Sequence, residues 1–89
     1  MRRFRFALEN GVKLSIKPPT LRDYYKGLLA ADSDEQLFAA VAAICGRNDE
    51  NIQINSDFII DNFSTDDLSR FMTELPAWVK SERKADPNS

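Results

Sequence analysis

The sequence contains no histidine, one cysteine and only three glycines among its 89 residues. A single cysteine cannot form an internal disulfide. Without histidine, the usual Cys/His zinc sites, Ser-His-Asp triads and imidazole proton shuttles are excluded. The glycines lie far apart in the chain, so no glycine-rich loop is available to hold a phosphate group. We therefore expect no catalytic site, no cofactor and no metal ion.

Long apolar runs are also absent. The longest, from Leu37 to Cys45, has nine residues, whereas a membrane-spanning helix needs about 18. At the N-terminus, Arg5 interrupts the only apolar stretch that could form the core of a signal peptide. We expect a cytoplasmic protein that does not enter a membrane.

Charge is unevenly distributed along the chain, although the net charge is only −2. Residues 1–27 carry a balance of +5, residues 28–79 carry −8, and residues 80–89 carry +1. Such polarity can steer one copy toward another or toward a charged partner. Two solvated faces of one folded domain would give the same distribution.

The N-terminal segment has the alternation of a β-hairpin. Apolar residues occupy every second position on both sides of Glu9-Asn10-Gly11, namely Phe4, Phe6, Leu8, Val12, Leu14 and Ile16. A three-residue loop at residues 9–11 sets Leu8 opposite Val12 and keeps all of these side chains on one face, whereas a two-residue Asn-Gly loop mixes the faces. We predict the three-residue loop, with Gly11 in the left-handed conformation. The opposite face then carries the candidate partner-binding residues Arg3, Arg5, Lys13 and Lys17.

Two helices are predicted after Pro18-Pro19, which ends the second strand. Thr20, with Asp23 three residues later, is a helix start. The apolar stripe of this first helix consists of Leu21, Tyr24, Tyr25, Leu28 and Leu29. Ser33 and Gln36 mark the start of the second helix, and Gly46 is a stop signal.

In the second half of the chain, the sequence predicts further short secondary-structure elements. Ile52-Gln53-Ile54 is a candidate third strand, and residues 56–63 form a short helix. Ser64 and Asp67 begin a last helix, in which Pro76 predicts a kink or a restart. Residues 80–89 are polar and predict a disordered tail. The expected fold is α+β: an N-terminal β-hairpin followed by three to four short α-helices in one small core, with a single compact domain at residues 1–79.

Few individual residues indicate a catalytic, metal-binding or partner-binding role. Cys45 lies on the apolar side of its helix and is expected to be a buried structural thiol. The oxygen-rich run that starts at Asp49 fails as a calcium loop, because Ile54 and Ile60 occupy the positions that require Gly and Glu. The aromatic rings of the hairpin point away from its basic face, which disfavours base stacking and so nucleic-acid binding. Trp78 fits either a core anchor or a partly exposed contact for a partner.

Three features together form a recognisable pattern over residues 4–80. They are a strand pair ending in Pro18-Pro19, the helix start Thr20-Leu21-Arg22-Asp23-Tyr24-Tyr25, and, after a short second helix and a polar loop, the start of a last helix at Phe63-Ser64-x-x-Asp67-Leu68-x-x-Phe71. In these features the chain resembles the small tail assembly chaperones of long-tailed (siphovirus-like) bacteriophages. No motif of that family fixes a functional residue here.

The resemblance implies a non-catalytic protein that binds the tape-measure protein while tail-tube subunits assemble around it, in the cytoplasm of the host cell. It also implies self-association and a longer form made by ribosomal frameshifting near the end of the chain. The alternative from the residues themselves is a small regulator or adaptor, such as a phage-encoded inhibitor. Such a protein would act on protein or nucleic acid through the basic hairpin face.

Overall fold

The computed structural model describes residues 2–85 of the chain. A two-stranded sheet precedes four helices, and together they form one small core, which confirms the predicted α+β class. The elements are β1 (Phe4–Ala7), β2 (Lys13–Ile16), a π-helix (Arg22–Leu28), α1 (Asp34–Cys45), α2 (Ser56–Asn62) and α3 (Thr65–Ala85). Within residues 2–85, no helix combines the length and the apolar character needed to cross a membrane.

The hairpin has the predicted register. Phe4 pairs with Ile16 and Phe6 with Leu14, and the Leu8 N–H donates to the Val12 carbonyl at 2.8 Å. Gly11 has a φ of +99°, a conformation in which a Cβ atom would be strained. The three-residue loop is therefore confirmed, because its register places the large apolar side chains of β1 and β2 on the buried face.

An aromatic cluster joins this face to α3. The ring of Phe6 meets that of Phe71 edge-on at 5.4 Å between centroids, and Phe4 lies 5.9 Å from Trp78. Phe71 is completely buried, as are Val41 and the other residues through which α1 closes the core. The core thus forms where α1 and α3 meet the apolar face of the hairpin.

The predicted helix starts are confirmed by their caps. The Ser33 hydroxyl accepts the Gln36 N–H at 3.2 Å. Ser64 and Asp67 cap reciprocally: the Asp67 N–H donates to the Ser64 hydroxyl, and the Ser64 N–H donates to the Asp67 carboxylate, both at 3.0 Å. The Thr20 hydroxyl accepts the Asp23 N–H at 3.1 Å. These bonds satisfy backbone donors that have no partner within a first helical turn.

The first helix differs from the prediction. It is a π-helix, in which the Leu29 N–H donates to the carbonyl of Tyr24, five residues earlier, at 2.9 Å. In an α-helix, the residues three and four positions after a given residue lie on the same face as that residue. The wider turn of a π-helix places these two positions on different faces. Tyr24 and Leu28 are buried, whereas Leu21 is 76% exposed, Tyr25 41% and Leu29 52%. The predicted single stripe is therefore wrong, and three of its five residues face outward.

The predicted third strand is also wrong. Residues 52–54 form no strand, and β2 is instead joined at its edge by an isolated bridge between Ile16 and Asn48. The buried Asn48 side chain donates to the carbonyls of Cys45 and Ile52 and accepts the Ile52 N–H at 2.9 Å. Because Asn48 satisfies the Ile52 backbone locally, that segment has no need of a sheet partner.

Helix α3 extends further than the sequence predicts. It continues through Pro76 without a restart and ends at Ala85, six residues beyond the predicted domain boundary at Val79. Leu75 is completely buried, while Trp78 and Val79 pack against the core from the following turn. These contacts hold both halves of the helix on the same core, despite the backbone bond that proline cannot make. Residues 86–89 of the predicted tail lie outside the described residues.

Candidate protein-interaction surfaces

The predicted basic face of the hairpin is less basic in the folded chain. Arg5, Lys13 and Lys17 are exposed. Arg3 is half-buried, and its Nε lies 2.8 Å from a carboxylate oxygen of Asp49. The loop that pairs with β2 thus brings an acidic residue to this face.

Glu50 is a second acidic residue at the same face. Its carboxylate accepts the Ser15 backbone N–H at 2.7 Å, and this hydrogen bond lowers the pKa of Glu50. The hairpin face therefore carries charges of both signs, and its electrostatic attraction for a polyanion is reduced.

Trp78 combines the two roles that the sequence left open. Its ring packs against Phe4 in the core, and its remaining surface forms part of a groove wall. The residue is half-buried. It is thus both a core anchor and an accessible apolar contact.

This groove is an apolar depression in which aromatic rings converge. It has a volume of about 420 Å³ and lies between the Pro18–Tyr25 segment and the C-terminal half of α3. We call it the groove; its lining consists of Arg2, Pro18, Pro19, Thr20, Leu21, Tyr24, Tyr25, Trp78, Val79, Glu82 and Arg83. Leu21, just before the π-helix, and Tyr25, within it, belong to the groove because both face outward, which the apolar pattern of the sequence did not predict.

The lining of the groove includes the cations Arg2 and Arg83. Arg83 donates to the Tyr25 hydroxyl at 3.1 Å, and Arg2 pairs with Glu82 at 3.0 Å. Arg22 and Lys26, which follow Leu21 and Tyr25 in the chain, are both exposed. The groove therefore favours an occupant that is apolar at its centre and acidic at its edges.

A second exposed apolar position lies on α2. Ile60 is 58% exposed, and the flanking Asp57 and Asp61 are also exposed. Beside Ile60 is a shallow cleft of about 200 Å³, whose walls include the half-buried Phe38 and Leu68. We call Asp57, Ile60 and Asp61 the Ile60 surface. Like the groove, it is apolar at its centre, but the charged residues at its rim are acidic.

The buried Asp67 has a structural role. Its carboxylate accepts hydrogen bonds from the backbone N–H groups of Ser64 and Glu9 and from the Arg70 guanidinium at 2.6 Å. Burial raises the pKa of Asp67, but these bonds outweigh burial and hold the pKa below its ordinary value. The Arg70 guanidinium also lies 4.7 Å from the centre of the Phe6 ring. Asp67 therefore joins the start of α3 to the hairpin turn.

Two kinds of chemical site can be considered, a reactive thiol and a metal centre. Cys45 is completely buried, and burial raises the pKa of its thiol to about 12. In the described part of the chain, no three His, Cys, Asp or Glu side chains are grouped so that they could hold a metal ion. The groove and the Ile60 surface, both suited to contact with another protein, are thus the candidate functional sites. Comparison of the chain with models of protein families, with curated proteins and with solved structures gave no match.

Proposed function

We propose that this chain is a non-catalytic assembly protein that acts by binding other protein chains. The observation that carries the proposal is the presence of two separate apolar surfaces, the groove and the Ile60 surface, in a domain of this size. A small domain that buries too little apolar surface often gains stability from partners. Exposed apolar positions with charged rims are typical of protein contacts.

The specific role that we propose is that of a phage tail assembly chaperone, working in the host-cell cytoplasm. The resemblance of the sequence supports this role, and its clients would be the tape-measure and tail-tube proteins. Such a chaperone needs surfaces that hold a client and others that hold neighbouring copies. The outward face of the π-helix, the Ile60 surface and the exposed hairpin residues Arg5, Lys13 and Lys17 are available for such contacts.

The regulator or adaptor alternative depends on a strongly basic hairpin face. Asp49 and Glu50 lie at that face, and Arg3 is already paired with Asp49. These contacts favour the assembly role over a nucleic-acid binder.

Co-expression tests the chaperone role directly. The full chain is produced together with the long coiled-coil protein encoded beside its gene, and complex formation is measured by size-exclusion chromatography with light scattering. We expect a complex that keeps the long protein in solution. Absence of such a neighbouring gene, or a neighbour that elutes free of the chain, would overturn the chaperone role.

A further inference from the structure

We propose that the groove and the Ile60 surface are the two halves of one contact between successive copies of this chain. Ile60 of one copy lies in the groove of the next, and the copies associate head to tail. The inference takes association with other chains from the proposed function and names a second copy as one of those partners.

Charge complementarity is the first argument. Arg83 lines the groove, and the exposed Arg22 and Lys26 directly follow Leu21 and Tyr25 in the chain, whereas Asp57 and Asp61 flank Ile60. The groove-lining Glu82 is paired with Arg2, so this pair adds no net charge, and Asp23 is half-buried at the first turn of the π-helix. The rims of the two surfaces therefore attract each other across the contact and repel a second surface of their own kind.

The second argument is apolar. Leu21, Tyr25, Leu29 and Ile60 are the exposed large apolar side chains among the described residues. Three of these four meet in the proposed contact, since Leu21 and Tyr25 form one half and Ile60 is the centre of the other. The contact thus removes from water most of the large apolar side chains that folding leaves exposed.

Leu29 is excluded from the contact by its surroundings. It lies at the far end of the π-helix, beside the acidic start of α1, in a shallow depression that includes Asp32 and Asp34. An incoming Ile60 surface would meet like charges there. Leu29 therefore provides a matched control, because it directly follows the same helix and is 52% exposed.

The topology makes the contact intermolecular. Helix α1 packs against the π-helix on one side and against α2 on another, and in the described part of the chain the π-helix and α2 do not touch. The groove of a copy is therefore out of reach of its own Ile60. A contact between two different surfaces is heterologous, so it leaves one free half at each end and adds further copies until a ring closes.

Variants that block one half of the contact test its geometry. Leu21→Asp places an acidic group in the groove and repels the Ile60 surface, and Ile60→Lys repels the groove. Both positions are well exposed, so the fold should be kept, which circular dichroism and thermal melting check. Leu29→Asp is the control. Association of the full chain without any client is followed by analytical ultracentrifugation up to high micromolar concentration.

We expect the wild-type chain and Leu29→Asp to form species larger than a dimer as concentration rises. Leu21→Asp and Ile60→Lys should each weaken association about tenfold or more, as loss of a central contact does. Their equimolar mixture should form a heterodimer and nothing larger, because one intact groove and one intact Ile60 surface remain.

Three results would overturn the proposal: a wild-type chain that stays monomeric, a mixture of the two variants that stays monomeric, or a Leu29→Asp variant that associates as weakly as Leu21→Asp. Binding of the client is measured separately with Leu21→Asp and Ile60→Lys. If they bind the client and the wild-type chain does not self-associate, the copy contact fails while the chaperone role stands.

Discussion

Both carboxylate oxygens of Asp67 have hydrogen-bond donors in a site that water does not reach. Unpaired, a buried carboxylate would cost several kcal/mol. Here two backbone N–H groups and one guanidinium compensate for the lost hydration. The residue thus holds the hairpin turn and the start of α3 together from a single position.

The first prediction is that Asp67→Asn lowers the free energy of unfolding by about 2 kcal/mol, because the amide replaces one acceptor oxygen with a donor that faces other donors. The measurement is urea unfolding at neutral pH. Asp66→Asn, at the exposed neighbouring position, is the matched control and should cost less than about 1 kcal/mol. Equal losses in both variants would contradict the role assigned to Asp67.

The second prediction concerns pH. Since the pKa of Asp67 is lower in the folded chain than the value of about 3.9 in unfolded chains, the carboxylate stabilises the fold above that value. This contribution is lost as pH falls through the folded pKa. Urea unfolding at a series of pH values should show a constant gap between wild type and Asp67→Asn near neutrality, and a narrowing gap below about pH 4. A gap that stays constant down to pH 2 would show that charge is not the cause.

The third prediction concerns Cys45. With complete burial and a thiol pKa of about 12, the residue has almost no reactive thiolate at neutral pH. A thiol reagent should therefore modify it only when the chain unfolds, and the rate should rise with urea in parallel with the unfolded fraction. Fast modification of the native protein, independent of urea, would contradict this.

Among the elements, the hairpin buries the face that its apolar sequence pattern predicts, whereas the π-helix does not. The hairpin register follows from alternation, since shifting it by one residue would turn every apolar side chain to water. In the π-helix, five apolar residues at helical spacing did not become one buried face. Gly27 allows a close approach to α1, where an added Cβ would lie 3.4 Å from the Cβ of Ala40. The helix packs on α1 with Tyr24 and Leu28 buried.

The fourth prediction tests the hairpin at this scale. Phe6 is 2% exposed and contacts Phe71, whereas the adjacent Arg5 is exposed. Phe6→Ala should cost about 3–5 kcal/mol, enough to unfold much of a domain with a thin core. Arg5→Ala should be close to neutral. Thermal melting of both variants is the measurement, and equal melting temperatures would mean that the assigned faces are wrong.

For the molecule as a whole, folding redistributes the charges that the sequence separates. Arg3 from the basic N-terminal third pairs with Asp49 from the acidic middle of the chain. The positive charge of the N-terminal third is thus partly neutralised at the hairpin. The groove and the Ile60 surface still carry charges of opposite sign.

The fifth prediction follows from this redistribution. Raising the salt from 0.1 M to 1 M shortens the Debye length from about 10 Å to about 3 Å. Light scattering should show weaker but persistent association at high salt, because the apolar part of the contact is not screened. Changing Arg3, Arg5, Lys13 and Lys17 to Ser should leave self-association unchanged. If these changes abolish association, the hairpin face and not the groove is the contact between copies.

The sequence by itself determined what depends on near neighbours in the chain. The hairpin register follows from alternation around Gly11, and the starts of α1 and α3 follow from Ser33 and Ser64 with their partners three residues later. The buried position of Cys45 also follows, from the apolar side of one helix. These features are local because their hydrogen bonds and faces are set within a few residues.

The tertiary structure alone decided which apolar side chains remain exposed. The outward turn of Leu21 and Tyr25, the groove that they form with Trp78, and the junction of Asp67 with Glu9 all depend on residues distant in sequence. So does the placement of Asn48 beside Ile16, which covers the edge of β2. A periodic pattern shows that a segment has an apolar side, but only packing against α1 determines where that side points. The reason is that burial is a property of the assembled core, to which each element contributes only part of the surface.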